Sequence, residues 1–187
     1  MREVVIVDGA RTTFGKMGGA LKDISAEELG GLCLKGLLNK TKILEKTNVD
    51  SVFAGSAHGV SFPRNPAKWI CHHAKMPYQT SATFVEMQCA SAIEACNLAA
   101  AKIMSGQADV MIIGGMESHS QEPAKFSMSL QPYRKNPPSY LVPQLAPFND
   151  QDISMGLTAE NLQKIYQISR QEQDEFAYRS QYLARKA

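Results

Sequence analysis

No two of the four cysteines in this 187-residue sequence are spaced CxxC, and none of its four histidines falls in an HxxxH or HExxH pattern. On spacing alone, no metal ligands and no metal cofactor are expected. No apolar run approaches the ~18 residues that cross a bilayer, so no membrane partner is expected. Surplus charge is missing too. Twenty basic residues face 18 acidic ones, for a net +2, too balanced for a nucleic-acid or membrane-surface footprint. The opening "MREVVIVDGARTTFGK" lacks the long apolar core and small-residue cleavage site of a signal peptide. A cytoplasmic location follows as an expectation, and with it four free thiols rather than disulfides. GxSxG, P-loop and GxGxxG motifs are absent.

What is present alternates. Glu3–Val7 is a β-branched run that predicts a buried strand. Asp23–Lys40 repeats apolar residues at Leu29, Leu32, Cys33 and Leu37, a helical spacing, and Ser25 with Glu28 has capping-box spacing. Val49–Ala57 reads as a strand, Pro66–Ala74 as a helix and Ser81–Met87 as a strand. Ala90–Gly106 reads as a helix with a glycine C-cap, and Ala108–Ser118 as a fourth strand. Such alternation predicts an α/β fold with a mostly parallel, doubly wound sheet. The helix after Cys89 is alanine-rich with few polar side chains, which predicts burial between layers. Residues 121–150 carry six of the nine prolines and no periodic element, so a functional loop or inserted subdomain begins there. Two helices follow, Ser154–Gln167 and Ser169–Lys186, the second with Ser169 and Glu172 in capping-box spacing.

Cys89 stands where a strand ends and a helix begins. An α/β sheet places nucleophiles at that address, and a helix N-terminus favours the thiolate. A small packing residue is the other reading of a free cysteine. Cys96, two helical turns on, is expected deep in the core, and Cys33 and Cys71 on apolar helical faces. His119 follows a glycine pair past a strand's end, a functional address, although solvation or packing also explains it. His72 and His73 fall in a helix and are expected partly solvated.

Six stretches in order, "VVIVDGARTTFGKMGGALKDISAEELG", "RNPAKW", "CASAIEA", "GGMESHSQEPA", "MGLTAENL" and "ISRQEQDEFAYRSQ", resemble the thiolase family, and closely its acetyl-CoA acetyltransferases. The resemblance implies a thiolase-like N-terminal α/β layered domain over residues 1–120, then the beginning of a loop domain over 121–187. It implies that Cys89 takes the acyl group from a CoA thioester. The reaction would condense two acetyl-CoA to acetoacetyl-CoA, or cleave the product with CoA. Coenzyme A thioesters would be substrates, with no cofactor. Met155 matches a methionine near the acyl-pantetheine end, although local packing explains it as well. Ser154 stands where many members have histidine, and both residues are substrate-binding candidates.

Three further departures matter. Glu86 stands where members have asparagine in "VNxxC", and a carboxylate near Cys89 opposes thiolate formation. "CASA" replaces the commoner "CGSG", so Ala90 and Ala92 narrow the pocket. Finally, thiolases are roughly twice this long, and their "GHP" histidine and "CxG" cysteine occur nowhere here. The resemblance therefore implies a half lacking its last strand, inactive until a C-terminal thiolase half completes it as a separate chain or missing region. A relic without activity is the other reading. An oligomer is expected. The alternatives are half of a longer-chain 3-ketoacyl-CoA thiolase and a noncatalytic subunit of the same fold.

Overall fold

The computed structural model of the protein describes residues 2–58, 63–127, 138–148 and 151–187. The chain divides into two compact units, Met1–Ala124 and Lys125–Ala187.

In the first unit the helix predicted over Asp23–Lys40 forms as α1, Ala26–Thr41. The Ser25 side chain accepts the Glu28 N–H, and Glu28 accepts the Ser25 N–H in return, so the capping box is present. A single turn, α2 (Ile43–Lys46), follows through Lys42 in the left-handed region. Three strands come next, each leading into another element: β1 (Ser51–Gly55), β2 (Ser81–Val85) and β3 (Met111–Gly115). Helix α3 (Pro66–His73) lies between β1 and β2, with Asn65 capping it and proline at its first position. Helix α4 (Ser91–Met104) lies between β2 and β3, and Gly106 just beyond it takes φ +75°.

The strands form a parallel sheet in the order β2-β1-β3. Parallel neighbours need crossovers, and α3 and α4 supply helices for them. β1 is central and buried at every position. Its side chains alternate between faces. Val52 and Ala54 join the larger core with Leu34 and Leu38 of α1 and Ala67, Ile70 and Cys71 of α3. Phe53 joins the smaller core with Ala95 and Ala99 of α4. Helices therefore cover both faces, as the alternation implied.

Asp50 starts the β1–β3 pairing. Its carboxylate accepts the Asp109 and Val110 N–H groups at 2.7 and 3.0 Å. Those bonds, Val110 first, hold its pKa below the ordinary carboxylate value. A depressed pKa stabilises the fold above the unfolded value of ~3.9, and that contribution is lost as pH falls through the lower folded value. Asp50→Asn is thus expected to be less stable at pH 7. The gap should narrow as pH falls below the unfolded value of ~3.9, in urea midpoints taken across the acid range.

Three expectations need correction. Glu3–Val7 is not a strand: Val5, Ile6 and Val7 are 67%, 89% and 86% exposed. β-branched composition says that a segment suits a pleated surface, whereas a strand needs a ladder partner. Among the described residues this segment has none. It is tied at its ends instead, by Arg2 to Asp109 and by Asp8 to Lys40. Second, α4 is not enclosed between layers. Ser91, Ala95 and Ala99 are buried, but Ile93 is 64% exposed, because among the described residues only one side of this helix meets the sheet. Third, Cys96 is half-buried rather than deep, since it sits beside that stripe.

In the second unit both predicted helices form, α5 (Met155–Tyr166) and α6 (Arg170–Lys186), capped by Ser154 and by a Ser169–Glu172 capping box. Of residues 121–150, the described part holds the end of a short 3₁₀ turn (His119–Gln121) and a bridge between Phe126 and Tyr140. Pro132 and Pro137 of the proline-rich stretch lie outside the described residues.

Candidate active site

Cys89 sits past the C-terminal end of β2 and two residues before α4, and it is exposed. The junction is sharp because Gln88 adopts φ 50°. A left-handed conformation costs a non-glycine residue about 1–2 kcal/mol, so neighbouring bonds must hold it. They do. The Glu86 carboxylate accepts the Gln88 N–H at 2.8 Å. Ala90 N–H donates to the Met87 carbonyl at 3.0 Å, and Ser91 N–H to the Gln88 carbonyl at 3.1 Å. Glu86 thereby acts as a brace for the turn that presents Cys89.

Ser91 is the pivot. Its buried hydroxyl accepts the Met87 N–H at 2.8 Å. Its one proton can go to the Gln88 carbonyl at 2.6 Å or to the Ser56 carbonyl at 3.2 Å. Ser56 directly follows β1, so one side chain joins the Cys89 turn, α4 and the end of the central strand. Ser91→Ala is expected to leave the Met87 amide without its partner and to cost about 1–2 kcal/mol in chemical denaturation.

Two glycines let α4 approach so closely. A Cβ on Gly55, the last residue of β1, would lie 2.7 Å from the Ser91 carbonyl carbon. One on Gly115, the last of β3, would lie 2.8 Å from the Ala92 Cβ. The strand ends thus form a seat for the first turn of α4. No side chain caps that helix, so its N-terminal partial positive charge faces the turn that carries Cys89.

The other thiols differ. Cys71 is buried, donates to the Ala67 carbonyl, and burial pushes its pKa up. Cys33 is half-buried and donates to the Ala10 carbonyl at 3.3 Å. Of the histidines, His72 is exposed, and His73 is half-buried and stacked on Trp69. His119 lies with His58 and Glu122 beyond the ends of β3 and β1, a grouping the sequence reading missed. His58 is separated from His119 and Glu122 by α3, β2, α4 and β3, so no local spacing signals it.

Ser154 and Met155 belong to the second unit. The Ser154 side chain accepts the Leu157 N–H at 3.2 Å as the N-cap of α5, and Met155, the first helical residue, is 68% exposed. No described helix is long and apolar enough to cross a membrane.

Residues 4–187 match the model of the thiolase family's N-terminal domain. A protein of Staphylococcus epidermidis named probable acetyl-CoA acyltransferase is 34% identical over the whole chain. An acetyl-CoA acetyltransferase of Cupriavidus necator is 36% identical over the same extent. A 3-oxoadipyl-CoA/3-oxo-5,6-dehydrosuberyl-CoA thiolase of Escherichia coli is 34% identical, again over the whole chain. The alignments cover 48%, 48% and 49% of those three proteins, so the chain spans about half their length.

Proposed function

Since the chain belongs to the thiolase family, matching its N-terminal domain, we propose that Cys89 is the acyl-accepting nucleophile of an acyltransferase acting on coenzyme A thioesters. The observation that carries this reading is an exposed thiol on a braced strand–turn–helix junction at the carboxyl edge of a parallel sheet.

The Cys89 thiolate attacks the thioester carbonyl, the C–S bond to CoA breaks, and CoA leaves as its thiolate. The developing oxyanion needs N–H donors, and a helix start is a source of backbone N–H groups without helical partners. The acyl-cysteine then accepts a carbon nucleophile, the enolate of acetyl-CoA. A C–C bond forms and Cys89 is released as thiolate. In reverse, CoA takes the acyl group from Cys89. We assign the acetyl-CoA/acetoacetyl-CoA pair as substrates and the cytoplasm as the location, with no cofactor. Ser154 and Met155 are assigned to the acyl-pantetheine end.

The base that activates Cys89 and the acid/base for the second step are proposed to come from a C-terminal thiolase half. That half would be a separate polypeptide or residues outside this sequence, within an oligomer. The test is co-expression with such a half and measurement of CoA-dependent acetoacetyl-CoA cleavage. A longer 3-ketoacyl-CoA and 3-oxoadipyl-CoA are run in parallel, because the Escherichia coli relative is named for the latter. Mass spectrometry of the quenched protein should find an acetyl group on Cys89. Cleavage of none of these thioesters, with Cys89 unmodified, would leave the noncatalytic reading in its place.

A further inference from the structure

The register of the sheet brings two distant histidines together. Gly55 of β1 pairs with Gly115 of β3, and the chain continues three residues to His58 and four to His119. Their ring centroids lie 4.3 Å apart at an interplanar angle of 61°. Glu122, one turn on from His119, places Oε2 3.7 Å from the His119 Nδ1. One donor atom from each of His58, His119 and Glu122 lies within 4.8 Å of the others. A second carboxylate backs the cluster. Glu117 Oε2 is 3.7 Å from the His58 Nδ1, and the Ser56 hydroxyl and Ala57 N–H hold Glu117 at 3.0 and 2.7 Å.

We propose that His58, His119 and Glu122 bind one divalent transition-metal ion of the zinc class, with Glu117 orienting His58 from behind. Two imidazole nitrogens and one carboxylate oxygen suit zinc, cobalt(II) and nickel(II), and disfavour magnesium and calcium, which take oxygen. The size fits. An ion at the centre of a triangle with 4.8 Å edges is at most about 2.8 Å from each corner, against metal–ligand bonds of ~2.0–2.2 Å. Closing that gap needs less than about 1 Å from side chains that are exposed. A carboxylate behind a ligating histidine is the arrangement that fixes such rings. Three protein ligands leave a position for water, so the ion would be a clamp between the loops that follow β1 and β3. Those loops also hold the Ser56 carbonyl on which Ser91 rests, which links the clamp to the turn before α4. The site does not depend on the acyl-transfer reading, since its donors are defined by geometry alone.

The test is titration of the full chain with Zn²⁺ by calorimetry and with Co²⁺ by absorption, in a Cys89→Ser background that removes the exposed thiol. One ion per chain is expected. The cobalt spectrum should show d–d bands without the strong near-ultraviolet band of thiolate ligation. His58→Gln and His119→Gln should each weaken binding at least ~10-fold. His72→Gln, on α3, should change nothing, and far-ultraviolet dichroism checks that each variant is folded. Binding that survives the His58→Gln/His119→Gln double variant, a thiolate band, or no binding at all overturns the proposal.

Discussion

Cys89→Ser is expected to lower CoA-dependent acetoacetyl-CoA cleavage by the complemented protein at least ~10³-fold, and to abolish acetylation of the chain. The substitution keeps the side chain's shape but replaces a thiol, which forms its nucleophilic anion near neutral pH, with a hydroxyl, which does not. Because Cys89 is exposed, stability should move by no more than about 0.5 kcal/mol, so the loss would be chemical rather than structural. Steady-state rates and intact-mass measurement check both halves of the expectation. Acetyl transfer that persists on Cys33 or Cys96 would overturn the assignment. Iodoacetamide offers a simpler comparison. It should label Cys89 well before Cys71, whose thiol is buried and whose pKa burial raises.

The second large effect is expected at a residue with no chemistry. Gly55→Ala puts a methyl group 2.7 Å from the carbonyl carbon and 2.8 Å from the carbonyl oxygen of Ser91. Those are backbone atoms of the first helical turn and cannot swing aside. The helix must lift off the strand end, at a cost of about 1–3 kcal/mol. Lifting it also disturbs the Ser91 bonds that shape the Cys89 turn, so activity should fall with stability. Gly36→Ala is the contrast. Gly36 lies within α1, where an added Cβ meets nothing within 4 Å. Alanine there should stabilise by about 0.5–1 kcal/mol through helix propensity. Thermal and urea unfolding of the two variants should therefore move in opposite directions. If Gly55→Ala unfolds like the parent, the close seat of α4 is not what fixes the turn.

Signals that act within one helical turn were legible in the sequence. Ser25 with Glu28 and Ser169 with Glu172 mark helix starts because a capping box needs only residues three apart. Gly106 marks the end of α4 for the same local reason. Partnership was not legible. Glu3–Val7 has the composition of a strand, but composition does not name a neighbour. The alanine-rich α4 is apolar on most sides, so its sequence could not say that only the Ser91–Ala95–Ala99 stripe meets the sheet. Cys89 was legible as an address, the end of a strand before a helix. The left-handed Gln88, its Glu86 brace and the Ser91 pivot were not, because they depend on how β1 and α4 meet. The His58–His119 pairing is harder still, since it follows from strand register over a separation of 61 residues (119 − 58).

The strand order also sets a timetable. The central strand β1 is the first of the three to be synthesised. Its partner β2 begins 30 residues later (81 − 51), and β3 begins 60 residues later (111 − 51). At ~5–20 residues per second, β1 waits roughly 3–12 seconds for its second neighbour. During that interval the apolar side chains Val52, Phe53 and Ala54, all buried in the finished fold, have no complete shelter. Parallel pairing over such separations is slow to close. The groups that aim Cys89 lie at the ends of β1 and β2 and at the start of α4, so all of them are synthesised before β3 arrives to complete the sheet on which α4 sits.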